Sequence, residues 1–250
     1  PSSLFARIAR MGFDTVLLGW PFPAADRSWF ATLTLARVRS DLGGAPPDEA
    51  FARLCDAARI AGLSLAVDLV CTTAGEGDLV RALPGCWAPG PFAGDPRVAP
   101  GAAGHAVRLD APDATERFAA FWAGQLELWR RAGVSAVRCH APAALRPKVW
   151  DAILREARAQ HLTAIAWTPG IARDTVAELA RAFDFVTAST AWWDGAAPWL
   201  VEEYNAQKPH ARVLGICDDP FGPRLATRVP AEAREPRHRL VLSAAALLAD

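Results

Sequence analysis

Along the chain, short apolar runs alternate with longer stretches in which apolar and charged positions recur every three or four residues. The longer pattern gathers apolar side chains on one helix face, and the short runs suit strands buried on both faces. Helices are predicted over residues 4–10, 48–61, 113–132, 146–160, 175–182, 199–206 and 237–248. Gly12, Gly62 and Gly133 stand just past three of them, where a helix end favours a residue that accepts positive φ. Strands are predicted over 13–19 (FDTVLLG), 63–70 (LSLAVDLV), 134–139, 162–167, 183–189 and 212–217. Strands that follow helices in this repeated order predict a parallel α/β sheet, either closed or doubly wound.

One stretch breaks the rhythm. The Pro/Gly-rich segment 84–104 follows a strand end and reads as a long loop excursion within a single domain spanning 1–250, not as a linker. The remaining pattern holds about six core strands and has a helix at either end. A (β/α)8 barrel would therefore need one strand before Pro1 and one after Asp250, whereas an open sheet would need neither.

Composition narrows the classes. Apolar residues make up 52% of the 250 positions, ample for a sizeable core. Lys and Arg (27) balance Asp and Glu (27) with no basic face in one region, so a nucleic-acid partner is not expected. No apolar run approaches the roughly 20 residues of a membrane helix, and nothing at Pro1 resembles a signal peptide. The five cysteines are scattered without a CxxC pair, which favours free thiols and a cytoplasmic setting. No GxGxxG or GxxxxGK[ST] element follows a strand, so no nucleotide cofactor is implied. Ten tryptophans against one tyrosine is an unusual ratio, and Trp either fills cores or stacks on planar and sugar-like ligands.

In parallel α/β proteins, chemistry gathers just past the C-terminal ends of strands. The segment VSAVRCHAPAAL (134–145) ends such a strand in Arg138-Cys139-His140. Adjacent strand residues face opposite sides, so Cys139 and His140 are not expected to share a metal ion. Other strand ends bring Asp68, Trp167, Trp192, Trp193, Asp218 and Asp219, with Trp20 and Trp29 near the first.

Several stretches resemble the α-amylase superfamily and, within it, the maltosyltransferases that use maltose 1-phosphate. RIARMGFDTVLLGWPFP is similar to that family's first helix and second strand, and GLSLAVDLVCTTAGEGDLVRALPGCW to its third strand and following loop. VRLDAPDATERFAAFWAGQLELWRRAGVSAVR resembles the Leu-Asp segment, long helix and fourth strand; DFVTASTAWW resembles the sixth strand, and PRLATRV the segment after the seventh. The resemblance runs in order over most of the chain. It implies a (β/α)8 barrel of TIM type, here an incomplete segment lacking the first and last strands.

The resemblance also implies chemistry, and the chain departs from it. A retaining glycosidase needs a nucleophilic carboxylate and an acid/base carboxyl about 5–5.5 Å apart. The family's fourth strand ends Arg-x-Asp; here the arginine stands as Arg138 and His140 occupies the nucleophile position. The acid/base Glu of the fifth strand corresponds to Trp167, which cannot supply a proton. The third strand retains Asp68 but has Thr72-Thr73 in place of the usual Asn-His, and Asp218 or Asp219 matches the third carboxylate. These losses imply a catalytically degenerate barrel that binds α-glucan or maltooligosaccharide, or serves as scaffold for other domains of a longer chain.

Alternatives stand beside each reading. Asp68, Asp218 and Asp219 would supply the carboxylates if the chain is a working transferase or hydrolase, and a purely structural domain would touch no sugar. Arg138 either binds ligand or pairs with Asp68 inside the barrel, since a buried Arg needs a partner. The segment Asp218-Asp219-Pro220 is either a cation or sugar site or an ordinary turn. Trp167, Trp192 and Trp193 form either an aromatic floor for glucose rings or part of the core.

Overall fold

The computed structural model describes residues 2–25, 30–90 and 104–249. The chain divides into two compact units, Pro1–Ala164 and Ile165–Asp250.

The first unit opens with α1 (Ser2–Arg10), β1 (Thr15–Leu18), α2 (Pro47–Ile60) and β2 (Ser64–Leu69). It continues through β3 (Thr73–Ala74), α3 (Asp78–Ala82), β4 (Trp87–Pro89), β5 (His105–Val107), α4 (Ala114–Arg131), β6 (Ala136–Cys139) and α5 (Pro147–Ala159). The predicted helices and strands of this unit form within a few residues of their expected bounds. Local chemistry explains the helix limits. Proline at the first turn opens α2 and α5, where its missing N–H costs nothing. Acidic residues begin α2, and arginines close α2, α4 and α5, as the helix dipole favours. Gly133 ends α4 at φ +105°, and a Cβ there would lie 2.9 Å from the Cβ of Cys55.

Strands β1, β2 and β6 run parallel in that order, with Asp68 beside Arg138 in the ladder. Strand β2 is buried along almost its whole length, as its apolar run requires. The expectation that β1 is buried needs correction: its residues alternate between exposed and half-buried. It lies at the end of this strand order and pairs only with β2 among the described residues, so one flank receives no cover from a neighbour.

Behind the strands lies an aromatic core. Trp20 and Phe22 leave β1 and meet Phe51 of α2 and Trp129 of α4, with ring centroids 4.8–6.2 Å apart. Trp20 is fully buried here, so it does not present a face to a sugar. Trp29 lies outside the described residues.

The segment 84–104 is not loop alone. Its β4 joins β3 and β5 in a small antiparallel sheet ordered β3-β5-β4. Residues 91–103 lie outside the described residues.

Strand β7 (Thr163–Ala166) leads into the second unit, which continues with α6 (Arg173–Leu179), β8 (Phe185–Ala188), α7 (Trp199–Gln207), β9 (Arg212–Gly215), α8 (Leu225–Arg228) and α9 (Arg234–Leu247). Strand β8 pairs in parallel with β7 on one side and β9 on the other. Helix α9 lies directly on β9. A Cβ on Gly215 would stand 2.4 Å from the backbone of Ala245, so only glycine permits this approach. No helix among the described residues is long and apolar enough to cross a membrane.

Candidate functional site

In the first unit, ladder register builds the polar cluster. Asp68 and Arg138 are side-by-side partners on neighbouring strands, so their side chains leave the same face. His140 follows two residues after Arg138 and returns to that face. The Arg138 guanidinium forks onto the Asp68 carboxylate, with Nε donating to Oδ1 at 2.7 Å and Nη2 to Oδ2 at 2.9 Å. The Nε2 of His140 lies 2.9 Å from Oδ1 of the same carboxylate. Asp68 is 1% exposed and His140 0%. The phenyl ring of Phe30 packs against the imidazole, with centroids 5.5 Å apart.

Burial alone would raise the Asp68 pKa. The adjoining His140 and Arg138 outweigh it and hold the carboxyl below its ordinary range. Both carboxylate oxygens are therefore engaged. Beyond His140 the chain turns sharply through Ala141, at φ +45°. The turn is pinned where the Trp150 indole N–H of α5 donates to the Pro142 carbonyl at 2.8 Å.

Cys139 pairs in register with Leu69 and so leaves the face opposite to His140. Burial pushes its thiol well upward, with the nearby Cys71 and Asp68 adding to the effect, and burial raises Cys71 as well. Neither is a ready thiolate. Among the described residues, no group of three His, Cys, Asp or Glu side chains forms a metal-ligand set.

In the second unit, aromatic rings gather past the strand ends. Trp167 follows β7, is almost wholly buried, and meets Trp192 at 6.4 Å and Phe221 at 5.3 Å between centroids, both edge to face. Trp192 is 38% exposed. Trp193 is half-buried, and its indole N–H donates to the Ala197 carbonyl at 2.8 Å.

Polar side chains at the strand ends, of which Thr168, Thr187 and Glu203 drew no notice in the sequence, hold these rings in place. Thr168 and Thr187 are buried and bond reciprocally: each backbone N–H donates to the other's hydroxyl at 3.0 Å. Thr190 accepts from the Ile216 N–H at 2.7 Å and donates to the Ile216 carbonyl, tying the turn that carries Trp192 to the end of β9. Glu203 of α7 accepts from both the N–H and the hydroxyl of Ser189. The only signal in the sequence was a threonine or serine at each of these strand ends.

Asp218 and Asp219 form a turn. Asp218 Oδ1 accepts from the Leu225 N–H at 2.7 Å, at the start of α8, and lies 3.8 Å from Arg228. Asp219 Oδ1 accepts from the Phe221 N–H at 2.9 Å. These are the bonds of the turn alternative.

No family model matches the chain. It is 32% identical, over 259 aligned positions, to an α-1,4-glucan:maltose-1-phosphate maltosyltransferase of Burkholderia pseudomallei. The alignment covers 98% of this chain and 23% of that protein, so the chain spans about a quarter of the relative's length. Among solved structures, Eubacterium rectale Amy13B superposes with a TM-score of 0.68 at 11% identity, covering 98% of this chain and 58% of that one. An α-amylase from Lactobacillus plantarum superposes with a TM-score of 0.64 at 15% identity, covering 85% and 57%. The parallel βα units are thus those of an amylase-type barrel, of which the chain is a segment. In sequence and in fold, the chain is a relative of the α-amylase superfamily, with its sequence likeness on the maltosyltransferase side.

Proposed function

We propose that the chain is a barrel segment that binds α-glucan or maltooligosaccharide and does not itself transfer glycosyl units. The observation that carries the reading is the state of His140. It stands where the resemblance puts the nucleophilic Asp, yet it is sealed from solvent and held against Asp68 and Phe30. A glycosyl-enzyme ester needs a carboxylate that can reach the anomeric carbon, with an acid opposite. Trp167, at the acid/base position, has no proton of suitable acidity to give.

The reading in which Asp68, Asp218 and Asp219 act as catalysts has less support. The oxygens of Asp68 are taken by Arg138 and His140. The other two carboxylates accept backbone hydrogen bonds of their own turn. Binding is supported by Trp192, whose exposed indole is braced by Trp167 and suits the apolar face of a pyranose ring. The chain spans 23% of the maltosyltransferase it resembles, which favours work alongside further domains of a longer protein. Five unpaired cysteines favour a reducing cytoplasm.

The test is calorimetric titration of the chain with maltoheptaose. Saturable binding that Trp192→Ala weakens several-fold is expected. A flat titration of the folded chain overturns the binding reading.

A further inference from the structure

In the second unit, an arginine stands beside the exposed indole of Trp192. Arg228 closes the short helix α8, and its guanidinium reaches back to the turn that carries Trp192. Its Nη2 donates to the Ala191 carbonyl at 3.4 Å, one residue before that indole. The segment between β9 and α9 meets the ring cluster a second time at Phe221, which packs edge to face on Trp167, the ring that braces Trp192. Two contacts of one segment therefore hold the cation next to the exposed ring.

Most of its donors are unspent. A planar guanidinium presents two donor edges, Nε with Nη2 and Nη1 with Nη2. A single bond from the shared Nη2 uses one of them and leaves the other whole. The Asp218 carboxylate stands 3.8 Å from Nη2, too far to accept a hydrogen bond, and its Oδ1 already accepts from the Leu225 N–H. The Arg228 side chain is 28% exposed, so it is held against the protein yet open to a ligand.

A free two-donor edge matches two adjacent acceptors. A pyranose ring stacked on an indole offers such a pair at its rim, in neighbouring equatorial hydroxyls. The geometry points to Arg228 as a specificity-determining residue of the Trp192 site, donating to the 2- and 3-hydroxyls of the glucose ring that stacks there. The inference rests on the glucan-binding reading and adds the polar group that distinguishes one linkage from another. Every internal ring of an α-1,4-glucan keeps that hydroxyl pair. A β-1,3-glucan spends its 3-hydroxyl in the linkage, so its internal rings offer apolar faces without the pair.

The chain is titrated by calorimetry with maltoheptaose and laminariheptaose. Maltoheptaose is expected to bind about tenfold more tightly. Arg228→Gln is expected to weaken maltoheptaose about tenfold and laminariheptaose by less than about twofold, so that the preference collapses. Arg228→Lys keeps the charge without the fork and is expected to stay several-fold weaker than wild type. Arg181→Gln, on the exposed surface of the same unit, leaves both affinities unchanged. Circular dichroism checks that the variants fold. Equal affinity of the wild-type chain for the two ligands, or a preference that survives in Arg228→Gln, would overturn the role of Arg228. So would full recovery in Arg228→Lys, which would make charge alone the cause. If Trp192→Ala still weakens maltoheptaose in those cases, the glucan-binding reading stands. A flat titration of the wild-type chain with both ligands would overturn the two together.

Discussion

Replacing Asp68 with Asn tests whether the buried ion cluster holds the first unit together. Asn keeps the shape and one acceptor but removes the charge on which Arg138 and His140 converge. Removing one partner of a buried ion pair costs about 3–5 kcal/mol, because it leaves the other charge uncompensated. Asn's remaining acceptor places the expected cost near the lower end, about 3 kcal/mol, against a total stability of about 5–15 kcal/mol. With a urea slope near 3 kcal/mol/M, the unfolding midpoint of D68N falls by about 1 M. The double variant D68N/R138L loses less than the sum of the single losses, by about 1 kcal/mol or more, because the two residues share one interaction. The Asp68 carboxyl is held below its ordinary range in the folded state, so its contribution is fully present above the unfolded carboxyl pKa of about 3.9. It is lost as pH falls from there through the folded value, so the gap between wild type and D68N is wide at pH 7 and narrows below about pH 4. A midpoint shift under about 0.2 M at pH 7, at the same urea slope, would refute the reasoning.

Three further outcomes are expected. Trp129→Ala removes the centre of the aromatic core and costs about 3–5 kcal/mol, read by urea unfolding. Asp218→Ala removes the acceptor at the start of α8 and costs about 1 kcal/mol, while maltoheptaose affinity measured by calorimetry stays unchanged. Gly215→Ala forces β9 and α9 apart at the Ala245 backbone and lowers the melting temperature by several degrees, at a cost of about 1–3 kcal/mol.

The βα rhythm was legible because each core element carries a long, consistent apolar pattern with proline, acidic or glycine punctuation at its ends. Strands β3, β4 and β5 were missed because two or three residues, one of them Pro89, are too few to show alternation. Helix α8 was missed because four residues make a single turn, whose start depends on the side chain of Asp218. The run FDTVLLG reads as a buried strand by composition, but its exposure depends on neighbours that the run does not encode.

The candidate site was legible in part. Parallel register made Asp68 and Arg138 available to each other, and the pairing alternative is the one seen. The approach of His140 to the same carboxylate was not foreseen, although the two-residue spacing from Arg138 allows it. Trp20 and Trp192 have the same residue type and both follow strands, yet one is core and the other is exposed. Trp20 packs against its near neighbour Phe22 and against Trp129, which arrives from a distant part of the chain with Phe51 behind it.

The claim most exposed to test is that this segment binds without transferring. The direct measurement is chromatography of maltoheptaose after prolonged incubation with the chain, with and without maltose 1-phosphate. The account predicts an oligosaccharide length profile identical to the protein-free control. Lengthened or shortened chains that disappear in Asp218→Asn or Asp219→Asn would contradict it and place working carboxylates in the second unit.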